Sequence, residues 1–212
     1  MRICGSGTHF MKTNNLLCLT LIAFLLPMAS PCLAADKVPD GWRRRGGTND
    51  YEVGVDGTVR TGGKRSAYLK TTSMSPKNFV NLMQSFRADD YRGKRVRLSA
   101  QVRVQGIAGS AALWMRIDSE SKTVGFDNMS ERAIRSAGDW KRHEIVLDVP
   151  PESFNISFGV MFDGRGQAWV DDFQFEVVGK DVPVTRTSEA TPGARKVEPA
   201  TQTKPLNVDF EK

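Results

Sequence analysis

Cysteine and histidine are almost missing from this chain outside its first residues. The three cysteines, Cys4, Cys18 and Cys32, and one of the two histidines all precede residue 35. If that leader is removed, the chain has no thiol for a disulfide, a nucleophile or a cysteine metal site. Only His143 then remains as an imidazole base or ligand, so histidine-cluster zinc sites are excluded.

A strong excess of one charge and a second long apolar run are also lacking. The sequence has 30 Lys and Arg residues against 24 Asp and Glu residues, and removing Arg2 and Lys12 with the leader leaves 28 against 24, a net charge of +4. This excess is too small to indicate nucleic-acid binding. No run of the roughly 20 apolar residues that a transmembrane helix needs follows the leader, so no transmembrane anchor is predicted.

The leader itself has the order of a secretory signal peptide. Residues 16–28 read LLCLTLIAFLLPM, an apolar core that is followed by small residues up to Ala34. This order predicts a signal peptide over residues 1–34, with Met11 as an alternative start. The predicted product begins at Ala35 and is exported to the periplasm or the extracellular space.

Cys32 gives the leader a second interpretation. A cysteine at the end of a leader is the residue that lipoproteins acylate, which would anchor the product to a membrane. Pro31 stands where a small residue is wanted before such a cysteine. Cleavage after Ala34 is therefore the preferred interpretation, and lipidation is the alternative.

The region 35–178 alternates apolar and polar residues, which predicts half-buried β-strands. The alternation is clearest over residues 96–104, 113–117, 143–149, 156–162 and 169–177. Turn signals are present at residues 106–110, 150–151 and 163–166. Residues 79–86 fit a strand after the turn at Ser75-Pro76, although a helix starting at Pro76 is the alternative. Together the segments predict an all-β antiparallel sandwich.

The last part of the chain changes composition twice. Residues 179–204 are rich in Pro, Thr and Ala and poor in large apolar side chains, which predicts a flexible linker. Residues 205–212 regain alternation, with Leu206, Val208 and Phe210 on one side. This tail is predicted either to dock on the sandwich as a strand or to begin a truncated second unit.

Several short motifs follow one another in a family-like order. They are Gly41-Trp42, Gly62-Gly63, Ser66-Ala67-Tyr68-Leu69, Gly93-Lys94 through Ala100, and Trp169-Val170-Asp171-Asp172-Phe173. Over residues 41–178 this order resembles the galactose-binding-like jelly rolls of cellulase-associated carbohydrate-binding modules. The resemblance implies a jelly-roll β-sandwich and a carbohydrate or cell-envelope glycan as ligand. The asparagine-to-glutamate strand that usually opens such modules is found here at residues 207–211.

The resemblance also implies a structural calcium ion. In such modules the early glutamate and the first aspartate of the last strand help to hold it, and these positions match Glu211 and Asp171. Calcium takes carboxylate and carbonyl oxygens as ligands. The alternative is that Asp171 is an ordinary carboxylate at the end of a strand.

The candidate ligand-binding residues lie on the polar sides of the predicted strands. Trp114 shares a side with Arg116 and Asp118, which would combine an aromatic platform with hydrogen-bonding groups for a sugar. Arg97 is placed on the same polar face, and Trp140 stands beside a turn, where a rim platform would lie. The alternative for Trp114 is burial in the core.

The arginines of the predicted strands have two interpretations. Arg95, Arg97, Arg103 and Arg116 are among those that could form a cationic face for an acidic polysaccharide or a lipid headgroup. The alternative is a ladder of exposed ion pairs with Glu144, Asp148 and Asp118.

Motifs for catalysis are lacking throughout the sequence. It contains no GxSxG, no HExxH and no P-loop, and its single histidine outside the leader alternates with core positions. The sequence therefore predicts a secreted, non-catalytic binding module with carbohydrate as the leading ligand class. The alternative is a structural or regulatory protein-interaction domain built on the same sandwich.

Overall fold

The computed structural model describes residues 1, 5, 38–47, 49–186 and 199–212. The chain divides into two compact units, Met1–Leu33 and Ala34–Lys212. The predicted signal peptide lies almost wholly outside the described residues. In the described part of the chain, no helix has the length and apolar character needed to cross a bilayer.

The second unit is all-β, as the sequence predicts. Its one short 3-10 helix, Asp89–Tyr91, lies among eight antiparallel strands in the residues described. The strands are β1 (Arg43–Gly46), β2 (Tyr51–Asp56), β3 (Ser66–Thr71), β4 (Phe79–Arg87), β5 (Arg95–Asp118), β6 (Thr123–Asp127), β7 (Gly138–Asp148) and β8 (Asn155–Val178). The strand at residues 79–86, preferred over a helix on sequence grounds, is confirmed as β4.

Two strands of 24 residues each, β5 and β8, join the two halves of the sheet. Their first and second halves pair with different neighbours. The N-terminal half of β8 and the C-terminal half of β5 lie with β1, β4 and β6, and we call this half the β1 layer. The other halves of β5 and β8 lie with β2, β3 and β7. The sheet therefore curls over a core that both halves share.

The predicted turns at residues 106–110 and 163–166 are wrong, because the chain bends there without leaving the strand. The β5–β8 register shifts between Gln105 and Ala108. Before this bulge the apolar side chains of β5 that are fully buried have even numbers, as at Leu98, and after it they have odd numbers, as at Leu113. A bulge adds a residue to one strand and reverses the faces of all that follow. Both halves of β5 thereby face the same core.

The tail docks on the sandwich but does not form the predicted strand. Gln84 exchanges two hydrogen bonds with the backbone of Leu206, of 2.9 and 3.0 Å. The backbone N–H of Phe173 donates to the Val208 carbonyl oxygen at 3.0 Å. Asn207 and Phe210 have positive φ angles of 46° and 58°, which turn the chain out of an extended conformation. Leu206 is therefore 48% exposed instead of sharing a buried face with Phe210.

Both ends of the predicted linker contact the sandwich. The Thr185 hydroxyl donates to a carboxylate oxygen of the buried Asp127 at 2.7 Å. On the far side, the backbone N–H of Arg87 donates to the Gln202 carbonyl oxygen at 2.8 Å. Residues 187–198 lie outside the described residues, so a flexible linker there stays a prediction.

Candidate functional site

Trp114 is buried, so the predicted stacking platform is wrong. Its side chain points away from the shared core, on the outer face of the β1 layer, yet the residue is only 5% exposed. Its indole Nε1 donates to Asn81 Oδ1 at 2.8 Å. Since β8 lies between β4 and β5, the indole reaches over β8 beside Gly159, the residue paired with Trp114. Gly159 permits the close approach of β4 to β8, because a Cβ at this position would overlap the Leu82 carbonyl oxygen.

Asp118 is also buried, and both of its carboxylate oxygens accept hydrogen bonds from neighbouring side chains. It is 1% exposed, and its Oδ1 accepts a hydrogen bond of 2.8 Å from the Thr123 hydroxyl. Its Oδ2 accepts one of 2.8 Å from Arg116 Nε. Asp118 therefore positions the Arg116 guanidinium and does not itself reach a ligand, which corrects the sequence-based expectation. Arg116 keeps part of its side chain exposed.

Arg97 and Trp140 lie in the other half of the sheet. Arg97 is in the N-terminal half of β5 and pairs across with Val146 and Glu176, whereas Arg116 lies beyond the bulge. Trp140 is half-buried on β7. The five residues predicted to bind a ligand therefore do not form one site, because the bend in β5 separates them.

The ladder of ion pairs is confirmed for the arginines around β7. Arg95 contacts Asp148 at 2.9 Å, and Arg97 contacts Glu176 at 2.9 Å and Glu144 at 3.9 Å. Exposed pairs of this kind contribute about 0 to 1 kcal/mol each to stability. Arg95 and Arg97 are thus paired with carboxylates, as the ladder interpretation predicts.

The ladder predicts a specific loss of stability in acid. The hydrogen bond from Arg95, together with Lys180, lowers the pKa of Asp148 from 3.8 to about 2. Since the folded pKa lies below the unfolded one, the stabilisation is complete above about pH 4 and is lost as the pH falls towards 2. We expect the melting temperature of Asp148→Asn to fall less over this window than that of the wild type.

Thermal unfolding between these pH values measures the effect, which solvent screening keeps below about 1 kcal/mol. Asp90→Asn is the matched control, because Asp90 is exposed and forms no ion pair with a described residue. An identical acid dependence of Asp148→Asn and the wild type would contradict the assignment.

A cleft of about 460 Å³ lies on the outer face of the β1 layer. One wall is the chain segment 199–202, which belongs to the predicted linker. Two hydrogen bonds hold it, from the Ala200 N–H to Asn155 Oδ1 at 3.1 Å and from the Arg87 N–H to the Gln202 carbonyl oxygen at 2.8 Å. The lining residues are Gly41, Trp42, Arg43, Arg45, Met83, Ser85, Arg116, Asn155, Ser157 and residues 199–202.

The cleft is polar and cationic. Arg43 and Arg45 alternate on β1 and are both exposed, and Arg116 lies on the far side. The hydroxyls of Ser85 and Ser157 are hydrogen-bonded to each other at 2.8 Å on the floor. Sequence analysis did not single out any of these residues except Arg116. The alternation of Arg43 and Arg45 after Gly41-Trp42 was the available signal, but only the register places them on this face.

A second hollow, of about 400 Å³, brings Asp171 and Glu211 together. Asp171 Oδ2 accepts hydrogen bonds of 2.9 Å from both the N–H and the hydroxyl of Thr61. Glu211 Oε1 accepts bonds of 2.6 and 3.1 Å from the N–H groups of Lys64 and Arg65. The bond from Lys64 is the main reason that the pKa of Glu211 lies below its usual value.

Calcium binding in this hollow stays a prediction. Both oxygens of Asp171 and Oε1 of Glu211 accept hydrogen bonds from N–H or hydroxyl groups of the chain. Among the residues that the structure describes, no group of three or more Asp, Glu, His or Cys side chains could hold a metal ion. Gly63 permits the tail to approach, because a Cβ at this position would overlap the Glu211 carboxylate.

Comparisons with known proteins support the fold more strongly than any function. No protein-family model matches the sequence. The chain is 41% identical over 179 residues to an uncharacterized HTH-type transcriptional regulator, YbfP, of Bacillus subtilis. The match covers 83% of this chain but only 58% of that relative.

Solved structures resemble the sandwich at low sequence identity. The enzymatically active domain of tailspike protein 4 of bacteriophage CBA120 matches with a TM-score of 0.53 and 13% identity, over 66% of this chain and 20% of that chain. The module TmCBM61, solved with β-1,4-galactotriose, has a TM-score of 0.48 and 15% identity, over 66% of this chain and 90% of that chain. The domain is an all-β antiparallel jelly-roll sandwich. This likeness concerns the fold alone and assigns no ligand.

Proposed function

We propose that the domain is a non-catalytic carbohydrate-binding module whose ligand lies in the cleft of the β1 layer. The observation that supports this most is the cleft itself, an open polar groove across the outer face of a jelly-roll sheet. Its hydroxyl and guanidinium groups are suited to hydrogen bonding with sugar hydroxyls. The resemblance of the sequence motifs to carbohydrate-binding modules points to the same ligand class.

A glycan array tests this proposal. We expect the protein to bind an oligosaccharide, and Ser85→Leu to weaken the binding at least about tenfold, because the larger side chain would fill the floor of the cleft. Ser136→Leu is the matched control, since Ser136 is exposed on the connection between β6 and β7. Binding that is equal for the two variants would place the ligand elsewhere.

The burial of Trp114 favours a second candidate function. Without an exposed tryptophan on this face, stacking on a sugar ring lacks its usual platform, and the ladder around β7 is compensated by its own carboxylates. Both features fit a structural or regulatory protein-interaction domain. Failure of the wild type to bind any glycan on the array would support this candidate instead.

The name of the Bacillus subtilis relative describes a helix-turn-helix regulator. The described residues of this chain form strands and one 3-10 helix, so they contain no such DNA-binding element. We therefore do not extend DNA binding to this domain.

Export and calcium binding stay predictions. The leader favours export with a mature start at Ala35, which the intact mass of the secreted protein tests. Calcium at Asp171 and Glu211 would raise the melting temperature on addition of the ion, and Asp171→Asn would abolish the rise. A melting temperature that is insensitive to calcium and to a chelator would mean that N–H donors alone hold these carboxylates.

A further inference from the structure

Three arginines surround the cleft from two sides. Arg43 and Arg45 project from the same face of β1, about 7 Å apart along the strand. Arg116 lies on β5, three strand spacings or about 14 Å away from β1. Among the described residues that line the cleft, none carries a carboxylate.

The charges of Arg43 and Arg45 are uncompensated. Neither forms an ion pair with any residue that the structure describes, and both are exposed. Arg116, by contrast, is held by Asp118. Around β7, Arg95, Arg97 and Arg142 are likewise paired with carboxylates, so the cleft differs from that face of the sheet.

The floor between the two charged sides carries hydroxyl groups. Ser85 and Ser157 pair across β4 and β8, and Ser157 pairs in turn with Arg116. Guanidinium groups bind carboxylates through two parallel hydrogen bonds, and hydroxyls bind the neutral groups of a sugar. A ligand that fits this pattern carries negative charge on the side of β1 and hydroxyls across the floor.

We infer that the cleft binds an acidic glycan, a chain of uronic-acid sugars whose carboxylates contact Arg43 and Arg45. The inference rests on the proposed function and specifies its ligand class. Both arginines are solvent-exposed, so their contribution is expected to weaken as salt screens the charges.

Calorimetric titration with an oligogalacturonate and with its fully methyl-esterified form tests the charge directly. The two probes share one backbone and differ in the carboxylates. We expect the acid to bind at least about tenfold more tightly than the ester, and the difference to disappear near 1 M salt, where the screening length is about 3 Å.

Variants assign the effect to the cleft. Arg43→Gln combined with Arg45→Gln is expected to reduce the affinity for the acid to that for the ester. The control is Arg135→Gln, because Arg135 is exposed and lines a different hollow. Arg45→Lys should retain part of the affinity, since it keeps the positive charge but loses the planar guanidinium that forms two parallel hydrogen bonds with a carboxylate. Melting temperatures of all variants establish that they fold.

The outcomes separate the two proposals. Equal affinity for the acid and the ester would overturn the inference and leave carbohydrate binding in place. Binding of neither probe, together with an empty glycan array, would overturn both. Equal binding of polyglutamate would show that the cleft recognises a polyanion without sugar and would also overturn the inference. Unchanged affinity of the double variant would move the acidic ligand to another surface.

Discussion

Replacing Phe210 with alanine is expected to lower the free energy of unfolding by about 3 to 5 kcal/mol, the usual cost of removing a buried phenylalanine. Phe210 is fully buried, with its ring centroid 5.1 Å from that of Trp42 and 6.1 Å from that of Phe173. For a domain of this size the melting temperature should fall by about 6 °C or more. Calorimetry or circular dichroism measures the shift.

Leu206→Ala is the control within the same tail. Leu206 is 48% exposed, so its truncation is expected to change stability by no more than about 0.5 kcal/mol. The backbone hydrogen bonds of residue 206 to Gln84 do not depend on its side chain. If Phe210→Ala and Leu206→Ala both had the same melting temperature as the wild type, the tail would not be docked in solution.

Replacing Trp114 with alanine is the second substitution with a large expected effect, about 3 kcal/mol or more. The substitution removes a large buried side chain and leaves Asn81 Oδ1 without the indole donor at 2.8 Å. Trp114→Phe keeps most of the volume and loses only the hydrogen bond, so we expect a smaller cost of about 1 to 3 kcal/mol. Denaturant unfolding measures both.

Trp140→Ala is the matched control, because Trp140 is only half-buried. It should cost clearly less than Trp114→Ala. A stable Trp114→Ala protein that has lost glycan binding would contradict the structure and restore Trp114 as an exposed platform. A destabilised variant would identify Trp114 as a packing residue.

The strands were predictable from the sequence because alternation reports which side chains face a core. The stretches at 96–104, 113–117 and 156–162 lie within β5 and β8, and the stretch at 143–149 ends one residue beyond β7. The predicted turns at 106–110 and 163–166 failed because glycine marks both a turn and a bend within a strand. Whether such a segment turns or stays in the strand depends on the pairing between β5 and β8. This pairing joins residues far apart in the sequence, so local sequence does not reveal it.

The site was less predictable than the fold. Trp114, Arg116 and Asp118 do share a polar side of β5, as alternation indicates. Alternation does not reveal that the Trp114 indole reaches across β8 to Asn81, or that the Asp118 carboxylate is buried. Arg97 appeared equivalent to Arg116 on sequence grounds, and the bend of β5 places it in the other half of the sheet.

The sequence by itself determined the all-β class and most strand positions, because both depend on local periodicity. The jelly-roll fold was implied only by the resemblance of its motifs to carbohydrate-binding modules. Tertiary structure alone decided three features: the position of the tail, the burial of Trp114, and the meeting of Arg43, Arg45 and Arg116 in one cleft. Each joins residues that are between 33 and more than 160 positions apart, such as Trp42 and Asn207. Strand register and bulges set these contacts, and neither is recorded in local sequence.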